Sequence, residues 1–529
     1  MLFTSYQFVL FLFILFIAYY TLPKKYQWIL LLIGSYIFYA FAGIEYLVYF
    51  ATTTISTYFI SQKIKAVKTK QKQYLKTNKE SLSREEKKEY KKVMKAKQWH
   101  YLLACLLFNF GILGIVKYTD FMIGNINGII SLFQGEPLSF MNFALPLGIS
   151  FYTFQSMGYI IDVYRGTCDV EDNIFKLGLF ISFFPQVIQG PISRFKDLSQ
   201  TLYQEHSFDF KQISFGLQRI LWGYFKKLVV ADRILVAVNT LIGDPSTYDG
   251  IYVLVGMIFY AIELYADFTG GIDITIGVAQ VFGVHITENF ERPYFSKDIA
   301  EYWRRWHITM GTWFKDYIFY PLSVNPKMLK FSNWSRKTFP NGLGKRIPIY
   351  VSSFIVWFAT GIWHGASWNF IVWGLLNCLV ICLSEEFKPF YEWFHQHFHV
   401  QGKTYFKVFQ IGRTFLLMSS LRILDCYRDV PLSFQMFGSM FTKWNLPELF
   451  QGTLLELGLS MNDYIIIIIG VLLMFSVSMI QRSGSVREKI DQKPVVFKFA
   501  VYYVLIFAII LLGAYSVGYD ASQFIYNQF

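Results

Sequence analysis

Runs of apolar residues long enough to cross ~30 Å of hydrocarbon recur along this chain, and they limit what it can fold into. Ten stretches read as membrane spans: 6–22, 28–41, 46–60, 101–118, 252–268, 349–364, 370–383, 406–421, 464–480 and 497–517. Four more, 145–161, 177–188, 213–230 and 272–284, are short or broken by Gly and Pro and read as re-entrant or protein-buried segments. A helix satisfies its own backbone hydrogen bonds in lipid, so the pattern predicts an all-α, polytopic integral membrane protein. Composition agrees. Of 529 residues 54% are hydrophobic and 55 are Phe, more apolar surface than a water-soluble fold can cover. The first apolar stretch has no basic residue before Lys24 and no small-residue cleavage site, so it reads as a retained helix and not a signal peptide.

Charge is placed unevenly. Residues 61–100 carry fourteen Lys/Arg against four Glu, a net of +10 out of the chain's +13. Residues 292–346 hold eleven Lys/Arg against three acids. Basic excess beside apolar spans marks the cytoplasmic side, which puts the N-terminus outside and 481–494 inside. The 61–100 segment lacks the interleaved aromatics of a nucleic-acid surface and reads as a solvated, partly helical cytoplasmic loop against the anionic bilayer. No nucleic-acid partner is expected. The whole chain, 1–529, reads as one membrane domain with this Lys-rich insertion at 61–100 and a C-terminal transmembrane extension at 426–529. No internal repeat is evident, which counts against a transporter built from two related halves. The five Cys have no metal-ligand spacing, and Cys378 with Cys382 on one helical face reads as packing.

Chemistry concentrates in three places. "GIWHGASWNF" (361–370) puts His364 at the far end of an uncharged run, with Pro348 marking the start of its helix. Sixteen residues at 1.5 Å each place this imidazole about 24 Å along, past the midplane. Ionisable groups at that depth are functional-site hypotheses, and a neutral imidazole can act as a general base toward a hydroxyl. The alternative is a histidine hydrogen-bonded to a neighbouring helix. Gly361 and Gly365 on either side leave room for a substrate, and Trp363 and Trp368 are placed to line the site. "EYWRRWHITMGTWFKDYIFYPL" (301–322) sets Arg304, Arg305, His307 and Lys315 among aromatics. It reads either as an interfacial amphipathic helix or as a vestibule whose cations attract a phosphorylated ligand. "ELYADFTGGIDITIG" (263–277) places Asp267 and Asp273 in an apolar stretch, Asp267 closing one helix and Asp273 beginning another, as structural groups or as the lining of a polar tunnel. The triplet His395, His397, His399 lacks an accompanying carboxylate or Cys and reads as an interfacial loop. No metal site is expected.

"RRWHITMGTWFKDYIFYPL" (304–322) and "GIWHGASWNFIVWGLLN" (361–377) closely resemble the two signature stretches of the membrane-bound O-acyltransferase family, in its bacterial branch of alginate O-acetylases and D-alanyl-transfer proteins. "LPLGISFYTFQSMGYIIDVYRG" (145–166), "FPQVIQGPISRF" (184–195) and "YADFTGGIDITIGVAQVFG" (265–283) resemble the same branch, so the likeness runs to about residue 425. The resemblance implies a ring of about 10–13 tilted transmembrane and re-entrant helices around a central tunnel, with the donor entering from the cytoplasm and the acceptor from outside. It makes His364 and His307 the catalytic positions. Arg304, Arg305 and Lys315 then become candidate donor-binding residues, and Asp267, Asp273, Trp363 and Trp368 candidate tunnel lining.

By the same resemblance the chain is a histidine-dependent acetyltransferase of the bacterial cytoplasmic membrane with no bound cofactor. It takes acetyl from acetyl-CoA for O-acetylation of an extracellular polysaccharide or cell-wall glycan, through a secreted or membrane-anchored acetyltransferase partner. The alternatives are D-alanyl transfer from the phosphopantetheine of a carrier protein to teichoic acid and, in a different class, transport of a glycan or lipid-linked sugar.

Overall fold

The computed structural model describes residues 1–340 and 342–515. The last part of the 426–529 extension, including the end of the 497–517 span, lies outside the described residues. Helices account for nearly all regular structure, and no strand occurs among the described residues. The backbone forms two compact units, Met1–Ile213 with Ala279–Thr287, and Ser214–Val278 with Glu288–Phe529.

In the first unit the helices Leu47–Thr77 and Arg84–Leu132 form an antiparallel pair. The Lys-rich segment is therefore the far end of this pair and is more ordered than a partly helical loop. Ser83 and Glu86 cap the second helix reciprocally, each side chain bonding the other's backbone N–H, which satisfies two of the donors a helix start leaves open. Tyr74 stacks on Tyr90 at 4.1 Å, and Asn109 donates to Ser56 Oγ at 3.1 Å.

In the second unit the helix ending at Tyr224 continues through a π-helical turn, Phe225–Ala231, into Asp232–Gly243. It crosses the continuous helix Ile251–Val281 at very close range. A Cβ on Gly223 would lie 2.6 Å from Gly270 O, and one on Gly277 would lie 2.7 Å from Gly216 O. Glycines at such a crossing let two backbones touch. This corrects the expected break after Asp267. Gly270 and Gly271 serve a helix crossing, and one 31-residue helix replaces the two predicted segments. The described part of the C-terminal extension packs into this unit's core. Met474 and Ile509 meet Val229, Val230 and Ala266, while Ile467 joins Ile234, Leu241 and Tyr252.

Among the described residues, six helices are long and apolar enough to cross a membrane: Arg84–Leu132, Ile251–Val281, Leu343–His364, Trp368–Glu386, Met461–Ser483 and Val495–Leu512. This is a multi-pass membrane protein. The run 388–398 around His395 and His397 is helical where a loop was expected, with Trp393 stacked on His397 at 5.3 Å. No group of metal-ligating side chains occurs among the described residues, and all five cysteines are free.

Candidate active site

His364 is the last residue of the helix Leu343–His364 and is buried. The helix begins five residues before Pro348, so the proline lies inside it and not at its start, and the carbonyl of Gly344 goes without its intrahelical partner. Gly365 ends it, and the chain turns directly into Trp368–Glu386. The imidazole meets the Trp373 ring edge to face at 4.7 Å and stacks on Phe370 at 6.4 Å.

The flanking glycines do not hold space open for a substrate. A Cβ on Gly361 would lie 2.5 Å from Phe370 O, and one on Gly365 would lie 2.2 Å from the Phe370 ring. The next helix fills both positions.

His307 connects two short helices, Ile299–Arg305 and Ile308–Phe314, and is fully buried with φ +47°. Left-handed backbone is costly for a side chain of this size and persists only where the surroundings impose it. Asn289 imposes it here. Its backbone carbonyl accepts from Ile308 N at 2.9 Å, and its Oδ1 accepts from Thr309 N at 3.1 Å and from Thr309 Oγ1 at 2.9 Å. The same Oδ1 lies 3.3 Å from His307 Nδ1. An oxygen already accepting from Thr309 makes Nδ1 the protonated nitrogen and leaves the lone pair on Nε2, a tautomer assigned from this network. Phe268 packs edge-on to the ring at 5.1 Å. Burial pushes the His307 pKa down to about 3, and the Arg422 guanidinium adds to the effect, so the ring is neutral at physiological pH.

Trp363 joins the two histidine stretches. Its ring centroid is 5.9 Å from that of His307 and 5.2 Å from that of His364. Trp363 is buried, whereas Trp368 is more than half exposed. Of the cations, Arg305 pairs with Glu301 at 2.7 Å, and Arg304 and Lys315 are exposed.

Both predicted aspartates are ion-paired, Asp267 fully buried and Asp273 partly exposed. Asp267 meets Lys227 at 2.5 Å, and Lys227 also meets Asp232 at 2.7 Å. Asp273 meets Lys226 at 2.6 Å and Arg219 at 2.8 Å, and Arg219 reaches Glu288 at 2.5 Å. The π-helical turn sets Lys226 and Lys227, adjacent in sequence, against aspartates six residues apart. The signal for these partners was two lysines inside an apolar run.

A second buried pair, Arg422 with Asp425 at 2.8 Å, also went unread in the sequence. The guanidinium lies over the rings of Trp373, at 4.7 Å, and Trp306, at 5.4 Å.

Residues 171–332 match the MBOAT, membrane-bound O-acyltransferase family. The chain is 31% identical over 442 residues to the probable alginate O-acetylase AlgI of Pseudomonas syringae pv. tomato, covering 82% of this chain and 74% of that one. It is 27% identical to the peptidoglycan O-acetyltransferase of Helicobacter pylori, over 69% of this chain and 66% of that one. With the teichoic acid D-alanyltransferase of Bacillus subtilis it shares 29% identity over 47% of this chain and 61% of the relative. Two histidine stretches joined at one tryptophan thus sit in a chain whose relatives carry acyl groups, and the chain belongs to the membrane-bound O-acyltransferase family.

Proposed function

We propose that this protein takes acetyl from cytosolic acetyl-CoA and passes it toward an extracellular polysaccharide or cell-wall glycan, through a separate extracytoplasmic acetyltransferase, in the bacterial cytoplasmic membrane. The observation that carries the reading is that His307 and His364 both pack against the ring of Trp363. A hydroxyl oxygen attacks the thioester carbonyl carbon while the His364 imidazole takes its proton. The C–S bond then breaks, and the departing thiolate takes the proton back. General-base assistance of this kind contributes ~10²–10⁴-fold in rate. Neutral His307, with its lone pair on Nε2, accepts a hydrogen bond from the substrate. Trp363, Trp373 and Phe370 keep water from His364, and exposed Arg304 and Lys315 draw the donor phosphates to the entrance.

The test is transfer of radiolabelled acetyl from acetyl-CoA in proteoliposomes. His364→Ala should remain folded and lose turnover by that factor, and near-wild-type turnover would remove the histidine from the reaction. D-alanyl transfer is the second reading, favoured by the Bacillus subtilis relative. Acetyl is placed first because the O-acetylase relative matches 82% of the chain against 47%. A parallel assay with a D-alanyl carrier protein separates the two.

A further inference from the structure

Arg422 and Asp425 are both more than nine-tenths buried, yet their pairing leaves polar atoms over. Nη1 donates to Asp425 Oδ2, and the Tyr302 phenol lies within reach of the same guanidinium. Arg422 Nε and Asp425 Oδ1 are buried with no protein partner. So are Ser419 Oγ, one turn earlier, and Trp373 Nε1, on the ring that the guanidinium covers. Buried polar atoms are almost always hydrogen-bonded, and four open ones on touching or turn-adjacent residues call for a bound group. Arg219 in the same unit shows the contrast. Its Nε, Nη1 and Nη2 are all filled, by Asp273 and Glu288.

The location gives these four atoms a meaning. Trp373 is the ring that His364 meets at 4.7 Å, and Trp306, the other ring beneath the guanidinium, directly precedes His307. The chemistry narrows the ligand. Arg422 and Asp425 neutralise each other, so an anion would face the carboxylate and a cation the guanidinium. What remains is two N–H donors, one carboxylate acceptor and a hydroxyl that can be either. That set complements a neutral group presenting a carbonyl oxygen beside an N–H.

We propose that Arg422, Asp425, Ser419 and Trp373 form a binding site for an amide of the pantetheine arm of the thioester donor, holding the donor beside His364. This rests on the thioester reading above, but both donors considered there carry the same arm. A sugar hydroxyl also presents a donor and an acceptor, and the experiment separates the two sources.

Removing one partner would strand a buried charge, so the informative variant is the double exchange Arg422→Met with Asp425→Leu, which removes both charges at similar volume. Monodispersity in detergent checks its folding, and Arg422→Lys, which keeps the charge and loses Nε, serves as a second variant. The first readout is titration with pantetheine itself, without acyl turnover. The expected result is an affinity loss of about tenfold to a hundredfold in both variants. The second readout compares acetyl-CoA with S-ethyl thioacetate, a thioester that has no amide. KM for acetyl-CoA should rise by a similar factor, while kcat/KM for S-ethyl thioacetate stays unchanged. Equal losses on both thioesters, a rise confined to the KM of the acceptor, or unchanged pantetheine binding in folded variants would each overturn the site. Variant-sensitive pantetheine binding without any acetyl transfer would support the site and count against the proposed reaction alone.

Discussion

Gly361 and Gly374 bring two helices into backbone contact: a Cβ on Gly374 would lie 3.2 Å from Gly361 Cα and 2.4 Å from Trp357 O. That contact fixes where the Leu343–His364 helix presents its last residue. Gly374→Ala and Gly361→Ala should therefore each destabilise the protein by about 1–3 kcal/mol through overpacking, and reduce acyl transfer by moving His364. Thermal unfolding in detergent alongside turnover checks this. Gly412→Ala, where a Cβ meets nothing within 4 Å, should leave both unchanged.

The His307 pKa, lowered to about 3 by burial, predicts a pH dependence of stability. Its unfolded value is near 6.5, so below that pH the unfolded chain binds a proton that the folded chain does not. The stabilisation is complete above pH 6.5 and is lost as pH falls toward 3, by up to about 1.4 kcal/mol per pH unit. His307→Gln should flatten this part of the curve. A variant with the wild-type slope between pH 6.5 and 5 would contradict the assignment.

Arg304 and Arg305 should behave differently, although they are neighbours in sequence. Arg304 is exposed, whereas Arg305 is held by Glu301 at 2.7 Å. Arg304→Ala is expected to raise the apparent KM for acetyl-CoA by a factor that shrinks with added salt, leaving kcat unchanged. Arg305→Ala should act chiefly on stability. Initial rates at two ionic strengths make the comparison.

Lys227→Met should be among the most damaging substitutions in the second unit. It removes the cation shared by buried Asp267 and Asp232, and stranding buried charge in this way costs about 3–5 kcal/mol. Loss of monodisperse protein on size-exclusion chromatography is the expected outcome. The triple variant Lys227→Met, Asp267→Asn, Asp232→Asn should recover it in part.

Cys residues placed at Lys79 and Lys337 in a Cys-free background should resist an impermeant thiol reagent in intact cells and react after permeabilisation. The basic excess around both positions predicts a cytosolic location. Labelling in intact cells would reverse the topology.

Apolar run length and charge bias made the helical class and the membrane setting legible, and the two motifs singled out His307 and His364. What could not be read was which residues answer each other across the fold. Lys226 and Lys227 meet aspartates some forty positions away, through a π-helical turn that no local periodicity announces. Gly270 looked like a helix break because its partner, Gly223, lies on another helix. Gly361 looked like room for a substrate, and it is room for Phe370. Arg422 lies outside both motifs, and only its packing on Trp306 and Trp373 reveals its position.

The helix Arg84–Leu132 has 49 residues, which at 1.5 Å each is about 73 Å, more than twice the hydrocarbon thickness. At the usual tilts of about 0–40°, a long stretch of it cannot fit within the hydrocarbon and extends beyond the lipid with its antiparallel companion as a rod. Two rods zipped side by side can lose matching two-turn blocks, about seven residues from each, without rotating the faces buried below. Relatives can therefore carry this rod at very different lengths, and its tip is a place where a rigid protein could be fused as an alignment mark for single-particle microscopy.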